Sequence, residues 1–269
     1  MERLGVLHRF RIVVPVALAL LFAGCALPDA PAMRSAADTD RDDVIEVARF
    51  SRRSEGEAIP EHWEKFSIPL KTATRYRFVK TDAGVGLEAS ADRSASALQR
   101  RVRIDPREHA QIEWRWRVDQ PVLGADKRRA DREDSAARLI VAFEGDAGKL
   151  DFEDRMTMRM AKALTGKEMP YATLMYVWSN DHQAETIIPN PRTGRVQMIV
   201  VEGGAEGVGR WAEFRRNVVE DYRRAFGEEP GRIVAVGVMT DADNTQESGR
   251  SVYGDISFRR TPPQALTLN

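Results

Sequence analysis

The chain has 269 residues, 41 basic and 41 acidic, so its formal net charge at neutral pH is zero. That balance lacks the basic excess of a nucleic-acid binder, so no nucleic-acid partner is expected. The single cysteine, Cys25, has no disulfide partner within the chain, and its place near the start removes it as a thiol nucleophile of the folded domain.

Taken in chain order, Arg3, Arg9 and Arg11 precede the apolar run IVVPVALALLF, which is too short for a permanent bilayer span. A charged start, an apolar middle and small residues predict a secretory signal peptide over 1–24. LFAGC, residues 21–25, resembles the bacterial lipobox, whose cysteine is lipidated, although Phe22 stands where leucine is usual. Lipidation at Cys25 would anchor the protein, since each buried methylene contributes about 0.8 kcal/mol. Ala26 is not the aspartate that resembles an inner-membrane retention signal, so an outer-membrane lipoprotein facing the periplasm is expected. Residues 25–43 are small and polar and read as a flexible tether. A domain over 44–260 and a tail over 261–269 follow.

Strand patterns dominate that domain. In IEWRWRV, Ile112, Trp114, Trp116 and Val118 share one face while Glu113, Arg115 and Arg117 share the other, which predicts a half-buried strand with both tryptophans in the core. Ten further segments read as strands: VIEVARF, YRFVKT, VGLEAS, ALQRRVRI, ARLIVAFE, TLMYVWS, ETIIP, RVQMIVVE, RIVAVGVMT and VYGDISF. Short strands separated by Gly, Asp, Asn and Pro predict an all-β fold, an antiparallel β-sandwich of jelly-roll type. RIVAVGVMT is apolar on both faces and belongs at the centre of a sheet. Two helices are expected, over 152–166 and over 211–227, each ended by a glycine. The second rests on Trp211, Phe214, Val218, Tyr222 and Phe226 recurring every three or four residues. The mixed-sign run KRRADRED, 127–134, reads as a solvated loop.

Several chemistries are excluded by spacing, since the chain has no H-E-x-x-H and no G-x-S-x-G. Gly166-Lys167 lacks the upstream glycine and the Ser or Thr of a P-loop. His62, His109 and His182 are far apart in sequence, and His182 reads as a loop residue. Gly207, Gly209 and Ala212 fit G-x-G-x-x-A, with Asp241 ending the next strand. Against a dinucleotide site, four residues separate Glu202 from Gly207 where a tight turn is required.

The acidic stretch MTDADNT, 239–245, follows the most apolar strand. It is not an EF-hand, because Gln246 and Val252 stand where glycine and glutamate are needed. Two readings stay open. In one, Asp241, Asp243 and Asn244 bind calcium or a ligand, with Asp255 from the next strand. In the other, the side chains cap their own backbone amides. Tyr176 and Trp178 alternate onto one face and are candidates to stack on a sugar ring, with Asn180 and Arg216 bonding its hydroxyls. A glycan-active enzyme would need two acids about 5 to 9.5 Å apart, for which Asp241 or Asp243 with Asp134 or Glu202 are the candidates.

WRWRV, YVWSN, NPRTG, RNVVEDYRRAFG, MTDADNT and YGDISF, in that order, resemble the bacterial family called domain of unknown function 3047, over roughly residues 44–259. The resemblance implies an exported β-rich protein with no assigned activity. The expected function is a non-catalytic envelope module that binds a glycan or other polar ligand, with no cofactor beyond structural calcium. The alternatives are a carboxylate-dependent glycan hydrolase or lyase and a structural or protein-interaction lipoprotein.

Overall fold

The computed structural model describes residues 43–261. The signal peptide, Cys25 and the tether up to residue 42 therefore lie outside the described residues. Thirteen strands form two sheets. The six-stranded sheet contains β1 (Val44–Ala48), β3 (Arg75–Thr81), β4 (Gly84–Asp92), β6 (Gln111–Gln120), β11 (Trp211–Asn217) and β13 (Ser248–Arg259). Its order is β11-β6-β13-β4-β3, with β1 pairing the far half of β13. The seven-stranded sheet contains β2 (Trp63–Ser67), β5 (Ala95–Ile104), β7 (Ser135–Phe143), β8 (Ala172–Ser179), β9 (Ile187–Asn190), β10 (Thr193–Gly203) and β12 (Ile233–Asp241). Its order is β2-β5-β12-β7-β8-β10-β9.

The sandwich is of the expected jelly-roll class, with one departure: β8 and β10 pair in parallel, so the larger sheet is mixed. All eleven expected strands form, and β12 lies between β5 and β7 at a sheet centre. Period two explains the core. Ile112, Trp114, Trp116 and Val118 are buried on β6 and meet Leu139, Val141 and Phe143 of β7 and Val236 and Val238 of β12. Trp114 stacks on Phe214 at 4.9 Å and lies 4.8 Å from Tyr176, so the two sheets join through aromatic contacts as well as aliphatic ones.

One strand is not among those expected, and one expected helix is corrected. β2 is short and edge-placed, and its alternation is too brief to be read. Residues 211–217 are strand rather than helix; α2 covers only Val218–Phe226. Trp211 and Phe214, which share one face of the expected helix, point to opposite sides of β11. Phe214 packs on the core tryptophans, while the Arg115 and Arg117 guanidiniums sit 4.8 and 5.5 Å from the Trp211 ring outside. Asn217 explains the switch from strand to helix, because its carboxamide oxygen caps Val219 and Glu220. The same strand removes the dinucleotide reading, since Gly207, Gly209 and Ala212 lead into β11 and do not open a helix. The other helix, α1 (Phe152–Thr165), forms as expected and ends at Gly166 in a left-handed conformation.

Candidate functional site

The outward face of the seven-stranded sheet carries a groove of about 500 Å³. Strand alternation builds its floor. While Val236, Val238 and Thr240 of β12 point into the core, Ala235, Gly237, Met239 and Asp241 point out. Ile140 and Ala142 of β7, Ala97 of β5, and Thr173 and Met175 of β8 continue that floor. Phe66 on β2 and Val196 on β10 mark its sides, five strand intervals or about 24 Å apart. Ala161 of α1 and residues Lys167 to Pro170 wall it.

The charged side chains gather where β7 and β12 meet the acidic loop. Arg138 and Asp241, each 3 % exposed, form a two-point ion pair: Nε donates to Oδ1 at 2.8 Å and Nη2 to Oδ2 at 2.9 Å. Ser135 N–H donates to the same Oδ1 at 3.1 Å. Arg138 Nη2 also donates to the Glu133 carbonyl, and the acceptors at Nη1 are the thioether sulfurs of Met175 and Met198, at 3.9 and 3.5 Å. Burial pushes the Asp241 carboxyl above its usual range, opposed by Arg138. Lys71 Nζ meets Asp243 Oδ2 at 2.5 Å, and Glu133 pairs with Arg192 while accepting from Asn190 Nδ2 at 2.7 Å.

Asp134 does not face a substrate. Its carboxylate accepts from Asn244 N–H at 3.1 Å, Thr245 N–H at 2.6 Å and Thr245 Oγ1 at 2.6 Å, so it holds the acidic loop from outside. The loop is therefore capped, but by a residue more than a hundred positions away rather than by its own side chains. Lys127 is buried beneath it and donates to the Asp134 carbonyl at 2.5 Å. Burial, then repulsion from Arg138, lowers the Lys127 ammonium to about 7. The run 127–134 is a solvated loop over residues 128–132 only; at its ends Lys127, Glu133 and Asp134 are buried and their polar groups find partners.

The calcium expectation meets the same fact. Carboxylate oxygens of Asp134, Asp241 and Asp243 lie within 4.8 Å of one another. Oxygen donors of this type suit the cation. Here Arg138, Lys71 and the loop amides already take them, and Asn244 contributes a backbone N–H that faces Asp134. A cation there would have to compete with these ion pairs and hydrogen bonds.

The remaining expected site residues lie elsewhere. Tyr176 and Trp178 are buried to within 1 % in the core and offer no ring face to a sugar. Tyr176 Oη donates to Asp221 Oδ2 at 2.9 Å, and Arg216 binds Asp221 with Nε and Nη2 at 2.9 and 2.7 Å. That cluster, with Glu185 on the other side of Arg216, pins the first turn of α2. Asn180 Nδ2 donates to the Val122 carbonyl at 2.6 Å. Asp255 belongs to the other sheet, where it accepts from Ser51 N–H and Oγ at 2.8 and 2.6 Å beside a separate depression lined by Glu113, Arg115 and Arg215. Glu202 accepts from Trp116 Nε1 at 2.7 Å and does not line the groove. Of the expected residues, only Asp241, Asp243 and Asn244 line it. Sequence reasoning misses Arg138, although it leaves a signal: one charge inside the otherwise apolar SAARLIVAF needs a buried partner.

Among solved structures, the chain is similar to the xylan-binding module CBM15 (13 % identity, TM-score 0.31, covering 81 % of this chain and 96 % of that one). It is also similar to endoglucanase 3 of family GH12 from Trichoderma harzianum (9 %, TM-score 0.38, 76 % and 100 %). A third is the glycoside hydrolase domain of Endo-D from Streptococcus pneumoniae R6, at 10 % identity and TM-score 0.34 over 73 % of this chain. The chain spans 21 % of that last protein's length. Overlaps this loose do not bear on function. No curated protein matches the chain. The model of the family described as "protein of unknown function (DUF3047)" matches residues 61–257, within the roughly 44–259 that the sequence motifs pointed to, and the chain belongs to that family.

Proposed function

We propose that the protein is a non-catalytic binding module, exported and tethered to the envelope through Cys25, whose ligand lies in the groove of the seven-stranded sheet. The observation that carries this reading is the groove itself. Its volume of about 500 Å³ falls in the range of small-molecule sites, which run roughly 300–1,000 Å³. An apolar floor with a few convergent polar groups is the composition such sites have.

Catalysis by a carboxylate pair loses support from the same geometry. Each carboxylate lining the groove is held by a cation: Asp241 by Arg138, Asp243 by Lys71, Glu133 by Arg192 and Glu168 by Lys162. An ion pair by itself favours the ionised carboxylate and so weakens it as a base toward substrate. The glycan reading keeps one feature, Phe66 at the groove's side, the single aromatic ring among its described lining residues.

The test is a binding panel of neutral and acidic oligosaccharides and single-chain amphiphiles, run on the wild type and on Ala235→Phe, which fills the floor from a partly exposed position. A saturable ligand that the variant no longer binds supports the reading. Ligands that bind both proteins equally, or turnover of any member of the panel, overturn it.

A further inference from the structure

The groove's polarity is one-sided. Ala97, Ile140, Ala142, Met175, Ala235 and Met239 present carbon and sulfur, and six of the eight ionic groups gather at the β12 loop end, with Lys167 and Glu168 on the wall after α1. Hydroxyl-rich sugars need donors and acceptors along their length, and this floor supplies few. The small residues Ala97, Ala142, Ala235 and Gly237 instead make a trough for something thin and apolar.

Charge narrows the head group. Four cations (Lys71, Arg138, Lys167, Arg192) and four carboxylates (Glu133, Glu168, Asp241, Asp243) line the groove, so the site carries no net charge. One strong donor is nonetheless underused. Arg138 lines the groove and is more than nine-tenths buried, and among the described residues its Nη1 meets only the thioether sulfurs of Met175, which also lines the groove, and of Met198, which are weak acceptors. A buried guanidinium N–H without an oxygen acceptor is costly, and a ligand carbonyl at the groove's charged end would remove that cost. The helix that walls the groove also exposes Phe152, Met156 and Met160, spaced four residues apart along one side.

We infer that the groove binds the acyl chain of a single-tailed amphiphile, with its carbonyl oxygen accepting from Arg138 and its chain lying over the alanine floor. This rests on the groove being the ligand site, and it names the ligand's class.

The experiment is titration calorimetry on the full chain carrying Cys25→Ala, purified without detergent. The probes are hexanoate, octanoate and decanoate, the matching monoacylglycerols, decyltrimethylammonium and cellohexaose. Affinity is expected to rise about four-fold per methylene. Decyltrimethylammonium, which has no oxygen acceptor, is expected to bind roughly ten-fold more weakly than the decanoyl compounds. Ala235→Phe should abolish acyl binding while its melting temperature stays close to that of the parent. Tighter binding of the ester than of the acid identifies a neutral acyl lipid as the source, and the reverse identifies a free fatty acid; either supports the inference. Affinity that ignores chain length, or acyl binding that survives Ala235→Phe, overturns it. If cellohexaose binds and Ala235→Phe removes it, the binding-module reading stands and the acyl inference falls. Binding of no probe at all sinks the inference, whereas the module reading is decided by the wider panel.

Discussion

Asp241→Asn removes one charge from the most buried ion pair of the groove and leaves its shape nearly unchanged. The new carboxamide would keep one acceptor for Arg138, but the guanidinium, 3 % exposed, would hold an uncompensated charge. Breaking a buried pair by removing one partner costs about 3–5 kcal/mol. For a domain of this size each kcal/mol moves the melting temperature by roughly 2–4 °C, so a fall of about 6–20 °C is expected. Urea unfolding at pH 7 reads the free energy directly. The double variant Arg138→Met/Asp241→Leu, which removes both charges, should lose far less than the two single changes added together. A loss below about 1 kcal/mol for Asp241→Asn, or strict additivity in the cycle, would refute the claim that this pair is desolvated and mutually dependent.

Other consequences are as specific. Because Arg138, Lys71 and the loop amides occupy the acidic cluster, millimolar calcium should leave the melting temperature unchanged; a rise that grows with calcium concentration would show a metal bound by the folded state. Lys127, lowered to about 7 in the fold, regains its ordinary value near 10.4 when unfolded. The unfolded chain then binds more protons between those values, so stability should rise with pH from about 7 to 10.4, by at most about 1.4 kcal/mol per pH unit. Lys127→Met should flatten that rise, and an unchanged slope in the variant would assign it to other groups. Cys25→Ala should move the protein from the membrane to the soluble fraction, and unaltered membrane retention would dismiss the lipid tether.

The fold is largely legible because period two survives in the sequence wherever a strand has one buried face. β6 is the plainest case, with Ile112, Trp114, Trp116 and Val118 all buried as the alternation requires. β11 misleads because Trp211 and Phe214 are three apart, and the preceding strand that makes them a ladder partner is about a hundred residues away. The acidic loop stands out through Asp241, Asp243 and Asn244, but its chemistry is not readable there. Whether a carboxylate is free or held depends on Arg138, Lys71 and Asp134, which arrive from other elements. Tyr176 and Trp178 show the converse limit. An alternating aromatic pair reads the same facing a ligand or facing the opposite sheet, and only the packing of Trp114 on Tyr176 decides it. The groove floor is silent, since alanine and glycine at outward positions carry no motif.

The most direct test of the central claim is a methyl NMR titration of methionine-labelled protein with the tightest ligand of the binding panel. Met175 and Met239 line the groove, whereas Met156 lies on exposed α1 and is not among its lining residues. A ligand in the groove should shift Met175 and Met239 in proportion to occupancy and leave Met156 in place. Saturable binding with both groove methyls unmoved would place the ligand elsewhere and contradict the account.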